Sequence, residues 1–305
     1  MLDIRAGQSG HPGMIAERQG RLGYDGPVTS PAIRPMTLGD VPAATAALVH
    51  ADFGDRRTWF EFATSQAACR PIVAELDGEI VGTGVGTANG TVGWIGTIWV
   101  EPRLRGAGLG RALTQIVIDD LEAAGCRTLL LVATIEGLRL YERMGFELQT
   151  RYRILEATGL PGNGSPDGGI RPFTPLDLPT MVALDGVATG EDRRHVIERF
   201  ASQESTKILE VQGLVRAFVT RAPWGGGATI AADPADAMRI LDARRRTAGP
   251  GGRVRVGLVE ENATGLDLLA ALGLTLIWSA PRLIRGEPLD WRPGWIWGQF
   301  NHALG

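Results

Sequence analysis

The sequence predicts an α+β (α/β) chain of two tandem domains, each a mostly antiparallel central sheet flanked by helices. Three observations predict it. At 305 residues the chain is about twice the usual single-domain length. Strand-like and helix-like hydrophobic patterns alternate along each half. The halves also repeat: Ile33 to Pro42 has a counterpart in Ile170 to Pro179, and at the same offset of 137 Asp55-Arg56-Arg57 falls on Asp192-Arg193-Arg194. Over residues 33–57 this register gives 11 identities in 25 positions, where ordinary residue frequencies give about two. Glu75-x-x-Gly78 then finds Glu210-x-x-Gly213, and Met144-Gly145-Phe146 finds Leu272-Gly273-Leu274. The resulting map is a loosely held arm over 1–31, a first domain over 32–157, a Gly/Pro-rich linker over 158–168 and a second domain over 169–305.

In the first domain, Arg34 to Met36 is a short strand, and Thr37 is a fitting N-cap for a helix through about His50. Ile72 to Leu76 and Glu79 to Val85 form a hairpin across Asp77-Gly78. Val92 to Val100 is an apolar, β-branched strand that Pro102 ends. A glycine loop leads to a helix from Leu109 to about Ala124, whose Leu113, Ile116, Val117 and Leu121 share one face. Thr128 to Ala133 reads as a buried strand, Ile135 to Met144 as a short helix stopped at Gly145, and Phe146 to Leu155 as the closing strand.

Composition excludes several classes. Hydrophobic residues make up 44% and charged residues 21%, as in ordinary globular chains. The net charge of −3 and a longest basic run of Arg244-Arg245-Arg246 argue against nucleic-acid binding. No run of 18 apolar residues predicts a membrane span, and Met1-Leu2-Asp3-Ile4-Arg5 does not open as a secretory leader. The only cysteines, Cys69 and Cys126, have no metal or disulfide-framework spacing, so a cytoplasmic protein without a metal is expected.

The chemistry sits in Arg103-Leu104-Arg105-Gly106-Ala107-Gly108-Leu109-Gly110-Arg111. Glycines between a strand and a helix let backbone N–H groups turn toward one point, where the helix N-terminus adds partial positive charge. Arg105 and Arg111 add formal charge at the rim of this anion cradle. Arg111 stands where a dinucleotide fingerprint needs its third glycine, and the Gly-Lys-Ser/Thr of a P-loop is missing.

Strand 95–100, then Glu101-Pro102, then Arg105-x-x-Gly108-x-Gly110, resembles the coenzyme A pyrophosphate motif of the GNAT superfamily of acyl-CoA N-acyltransferases. Thr134 to Phe146, with Tyr141 four residues before Gly145-Phe146, is similar to that family's second signature. The resemblance spans about residues 32–156, and a weaker one to the C-terminal GNAT-like domain of bacterial two-domain acetyltransferases spans 169–305.

The resemblance implies that acetyl-CoA lies as co-substrate where the strands over 92–100 and 128–133 part. Backbone groups of Ile98, Trp99 and Val100 would bond the pantetheine and offer an N–H to the thioester oxygen. Amides of Arg105, Gly106, Ala107, Gly108, Leu109, Gly110 and Arg111 would take the pyrophosphate, Thr134 would touch the cofactor, and Tyr141 would protonate the departing thiolate. Two departures stand out. Thr134 replaces the asparagine of many members, and Trp94, Ile95, Gly96 and Thr97 offer no carboxylate as general base. Asp52, Asp55 and Glu61 could reach the acceptor side, and the base is left unassigned.

Opposite the cradle, the second half has Ala232-Asp233-Pro234-Ala235-Asp236-Ala237, whose carboxylates would repel a pyrophosphate, and Leu269 replaces the tyrosine. Asn262 stands opposite Thr134. One cofactor site, in the first domain, is expected. The second domain is then either a structural partner completing the sheet or a wall of the acceptor pocket. Trp278, Trp291, Trp295 and Trp297 give its tail a packing or contact role, while His195 and His302 receive none. The expected activity is transfer of an acetyl group to a primary amine of a small molecule or protein, by direct attack, in a monomer or homodimer. The alternative is a non-catalytic acyl-CoA sensor.

Overall fold

The computed structural model describes residues 30–305 apart from 52, 163–166 and 225, so nearly all of the expected arm lies outside the described residues. Residues Pro31–Gly305 form one compact unit. The first half runs β1 (Ala32–Pro35), α1 (Val41–His50), α2 (Arg57–Ser65), β2 (Cys69–Leu76), β3 (Glu79–Asn89), β4 (Val92–Val100), α3 (Leu109–Ala123), β5 (Thr128–Val132), α4 (Ile135–Glu142) and β6 (Glu147–Thr158). The second runs β7 (Ile170–Pro172), α5 (Leu178–Thr189), α6 (Arg194–Phe200), β8 (Thr206–Val211), β9 (Leu214–Arg221), β10 (Gly227–Ala231), α7 (Pro234–Ala248), β11 (Arg253–Val259), α8 (Ala263–Ala271), β12 (Thr275–Gly286) and β13 (Ile296–Gly298).

The repeat read in the sequence is a repeat of interactions. Thr37 and Asp40 make a capping box around a 3-10 turn, Leu38–Asp40, that leads into α1; Thr174 and Asp177 make the same box ahead of α5. Arg34 bridges Asp40 and Glu75 at 2.8 and 2.7 Å, and Arg171 bridges Asp177 and Glu210 at 2.6 and 2.7 Å. Each arginine ties the start of its half to the hairpin beside it.

The sheets do not follow the halves. One has eight strands in the order β1-β2-β3-β4-β5-β12-β6-β11, and the other five in the order β13-β10-β9-β8-β7. β12 therefore lies between β5 and β6, pairing antiparallel with both, and β6 pairs on its far side with β11. The halves exchange their closing strands, which gives β6 and β12 a hydrogen-bonded neighbour on each edge.

The sheet also carries α3 at close range. Gly82, Gly84 and Gly86 alternate along β3, so all three face the same way. A Cβ at Gly82 would lie 2.9 Å from Leu113, and one at Gly86 3.0 Å from Val117. Leu113, Val117, Ile118 and Leu121 of α3 are fully buried against this track. Between the halves lies an aromatic cluster: Trp59 and Phe62 of α2 meet Phe200 of α6 and Trp224, with Phe62 and Phe200 5.1 Å apart. No helix among the described residues is long and apolar enough to cross a membrane.

Candidate active site

β4 and β5 run parallel only from Val92–Thr128 to Ile95–Leu131. Beyond that they part. On its other edge β4 gains a residue against β3, since Trp99 pairs with Thr83 and Gly96 with Val85, leaving Thr97 and Ile98 opposite Gly84 alone. Thr97 sits there at φ 53°, an unusual conformation for a β-branched residue. Its surroundings hold it in place: Trp59 Nε1 donates to Thr97 Oγ1 at 2.9 Å, and Thr83 Oγ1 donates to the Thr97 carbonyl at 2.8 Å. Ile98 and Val100 are half-buried along the parted stretch, while Trp99 is buried behind it.

The glycine loop opens at the same end. Gly106 and Gly108 have φ of 81° and 93°, and nothing approaches within 4 Å of either missing Cβ. They are required for backbone direction, not for space. Gly108 is the N-cap of α3 and has no side chain to satisfy the first-turn N–H groups of Leu109, Gly110 and Arg111. Arg105, Gly106, Ala107, Gly108 and Arg111 are exposed. Arg105 Nε donates to the Val100 carbonyl at 3.0 Å, which ties the loop to the end of β4. These open amides beside a parted strand pair fit the phosphates and pantetheine of an acyl-CoA.

Thr134 N-caps α4, its Oγ1 accepting from Gly137 N at 3.1 Å. A Cβ at Gly137 would lie 3.0 Å from the Tyr141 ring and 3.4 Å from Thr134 Oγ1, so this glycine leaves room for both. Tyr141 is 9% exposed and meets Phe146 edge-on at 6.2 Å. Among the described residues no group hydrogen-bonds its hydroxyl, and burial pushes it up to about 12. The hydroxyl therefore keeps its proton throughout the neutral range.

A cavity of about 710 Å³ lies at the parted strands, where Gly96 and Thr97 of β4 face Val132 at the end of β5 and Ala133 and Thr134 after it. Of the residues picked for the site, only Thr134 lines it. Ile98, Trp99 and Val100 lie on the stretch of β4 beyond Gly96 and Thr97, and Tyr141 lies on α4, off this wall. Among the candidate bases, Asp55 is on the wall, with Oδ1 accepting from Arg57 N at 2.8 Å; Glu61 is exposed elsewhere on α2, and Asp52 lies outside the described residues.

The far wall comes from the second half. Trp224, Arg255, Trp278 and the tail over 300–303 complete it. The place of a Cβ at Gly96 is filled by Ala303. His302 stacks on Tyr152 at 5.4 Å and meets Trp278 edge-on at 5.2 Å, and burial pushes it down to about 4. This neutral imidazole is a cavity residue that sequence reasoning missed, because a lone histidine near a chain end has no spacing that marks it.

Burial pushes both thiols up, Cys69 to about 11, which leaves neither cysteine a ready nucleophile. Among the described residues no group of three or more His, Cys, Asp or Glu side chains is placed to hold a metal.

Comparison with known proteins fits this geometry. The profile of the acetyltransferase (GNAT) family matches residues 41–146. A tandem GNAT protein from the clavulanic acid biosynthesis pathway superimposes with a TM-score of 0.58 at 14% identity, over 85% of this chain and 99% of that one. Residues 41–146 therefore match the GNAT family, and the chain as a whole shares the fold of a tandem GNAT protein. The crystal structure of a provisionally assigned acetyltransferase from Pyrococcus horikoshii shares the fold of this chain with a TM-score of 0.78 at 20% identity, covering 94% of this chain and 100% of that one. By sequence, the N-acetyltransferase YitH of Bacillus subtilis, itself uncharacterised, is 25% identical over 218 residues, 69% of this chain and 76% of its own. Mycothiol acetyltransferase of Streptomyces avermitilis is 36% identical over 107 residues, 32% of each chain.

Proposed function

We propose that this protein transfers an acetyl group from acetyl-CoA to a primary amine, with one cofactor site, in its first half. The observation that carries the reading is the parting of β4 and β5 beyond Ile95 and Leu131, next to the open amides of α3 and the glycine loop. Acetyl-CoA supplies a thioester already activated toward an amine. Amides over 105–111 would hold its phosphates, and backbone groups of Ile98, Trp99 and Val100 would orient its pantetheine. The Thr97 bulge, pinned by Trp59 and Thr83, fixes the direction in which the next backbone groups point. Tyr141, protonated at neutral pH, would give its proton to the departing thiolate. Asp55 is the wall carboxylate able to accept the amine's proton.

The second half supports the single-site reading. At the start of α7, Asp233 accepts from Ala235 N at 2.7 Å, and Asp236 meets Arg216 at 3.1 Å. That N-terminus is already occupied by carboxylates, and Leu269 is buried where a tyrosine would stand.

The test is release of coenzyme A thiol from acetyl-CoA against a panel of amines. An acceptor turned over by the native protein and lost in Tyr141→Phe, with acetyl-CoA affinity retained, is the expected result. Tight acetyl-CoA binding with no turnover of any amine would favour the sensor alternative.

A further inference from the structure

A second cavity of about 430 Å³ adjoins the first, sharing Trp224, Gly226, Arg255, Phe300, Asn301 and His302 with it. Its charge is one-sided. Arg221, Arg244, Arg253 and Arg255 line it against a single carboxylate, Glu156. Both Glu156 oxygens are engaged, one by Arg255 Nε at 2.7 Å and the other by Arg253 Nη1 at 3.2 Å. Among the described residues, Arg221 and Arg244 have no carboxylate partner.

Arg244 stands out. It projects from α7 and is only 8% exposed, yet among the described residues it has no hydrogen-bond or ion-pair partner. Burial and the neighbouring Arg221 push its guanidinium down to about 10. Of the two fully enclosed arginines of this half, Arg193 is held by Asp185 at 2.6 Å and Arg282 lies among the rings of Trp94, Tyr152 and Trp291. A buried cation kept beside another cation, with no anion from the chain, costs stability. On the same wall the Gln299 amide has a buried oxygen without a partner. Arg244 thus lines a space in which no described residue supplies it an anion, with the exposed Arg221 beside it.

We propose that this pocket is the anion subsite of the acceptor. The amine acylated beside Gly96 and Thr97 carries a carboxylate or phosphate, which Arg244 and Arg221 bind. This rests on the acetyltransferase reading above and narrows its acceptor to amines that bear an anion. The guanidinium fork suits both oxyanions, and the shared wall puts the anion on the far side of the first cavity from the parted strands.

The experiment pairs acceptors with neutral counterparts in the full-length protein. Amino acids are compared with their amides, and phosphoethanolamine with ethanolamine, so that the two arms separate carboxylate from phosphate. Native protein should favour the anionic member of at least one pair, and Arg244→Met should raise KM for that member about 10- to 100-fold, the worth of one charge-assisted hydrogen-bonded contact. The unliganded variant should melt no lower than the native protein, because no partner is orphaned. Equal use of both members of every pair, or KM unchanged in Arg244→Met, overturns the proposal. Should that variant fail to fold, Arg221→Met, at an exposed position, makes the same test.

Calorimetry with inorganic phosphate and with acetate needs no turnover. Binding by native protein that is lost in Arg244→Met upholds the anion site even if no amine is acylated, in which case the transferase reading alone fails. No binding of either anion together with no preference among acceptors sinks the subsite.

Discussion

Replacing Gly96 by alanine tests whether the tail is a working wall of the acceptor cavity. The new Cβ would stand 2.9 Å from Ala303 Cα and closer still to its Cβ. Ordinary van der Waals contact needs about 3.5–4.0 Å, so one side must retreat by at least half an ångström. β4 is poorly placed to move, being paired with β3 along its length and held at Thr97 by Trp59 and Thr83. The tail has to yield instead. It is anchored by Asn89 Nδ2 donating to the Leu304 carbonyl at 3.0 Å and by the full burial of Leu304. Overpacking of this kind costs about 1–3 kcal/mol, visible as a lower midpoint in urea. The kinetic signature is selective: KM for the amine should rise about tenfold, for a displacement worth some 1.4 kcal/mol, while acetyl-CoA affinity stays within about twofold because the glycine loop is untouched. An equal loss of acetyl-CoA affinity, or a cavity indifferent to the change, would refute the view that the tail shapes the acceptor side alone.

Three further outcomes follow from the same geometry. Gly108→Ala places a Cβ at φ 93°, which should cost about 1–2 kcal/mol and weaken acetyl-CoA binding by calorimetry; unchanged affinity would remove the loop from the site. Asp185→Asn leaves the buried Arg193 charge uncompensated and should destabilise by about 3–5 kcal/mol in chemical denaturation, far more than the same change at the exposed Asp55. His302, near 6.5 when unfolded, is pushed down to about 4 by burial. Between those values the unfolded chain binds a proton that the folded one does not, so stability is complete above pH 6.5 and falls as pH drops toward 4. The loss is about 3 kcal/mol and should shrink in His302→Asn; an identical pH profile in that variant would mean the ring is protonated in place.

The first half was legible in the sequence because its signals are local. Val92–Val100 reads directly from its apolar, β-branched run, and α3 from its spaced leucines and valines behind two glycines of positive φ. The Arg34–Asp40–Glu75 repeat became visible as residue identity at fixed spacing, since the ion pairs it makes need those side chains in that order. The strand exchange was not legible. β6 and β12 each look like a closing strand, and nothing in a strand's own alternation says which edge it joins. The alternating Gly82-x-Gly84-x-Gly86 also passed unread, because its meaning lies in α3, more than 20 residues downstream. His302 and Arg244 went unassigned for a related reason. Their significance comes from cavities whose walls are drawn from distant parts of the chain.

The exchange gives the second half a structural part in the first half's cavity. β10 and β11 correspond to β4 and β5, yet they do not pair at all. β13 pairs with β10 instead, and Asn262 Nδ2 donates to the Ile296 carbonyl at 3.0 Å. Asn262 is the counterpart of Thr134, and both cap the helix that follows, so the position that faces the opening in the first half grips the chain's own tail in the second. Trp297 seals the arrangement, fully buried with Nε1 donating to the Ala231 carbonyl at 3.2 Å. From that anchor the chain runs five residues to His302 and Ala303 at Gly96. Completing the sheet and lining the cavity at Gly96 are therefore not rival roles for the second half. The tail reaches the first half's cavity because the second half's own opening holds it.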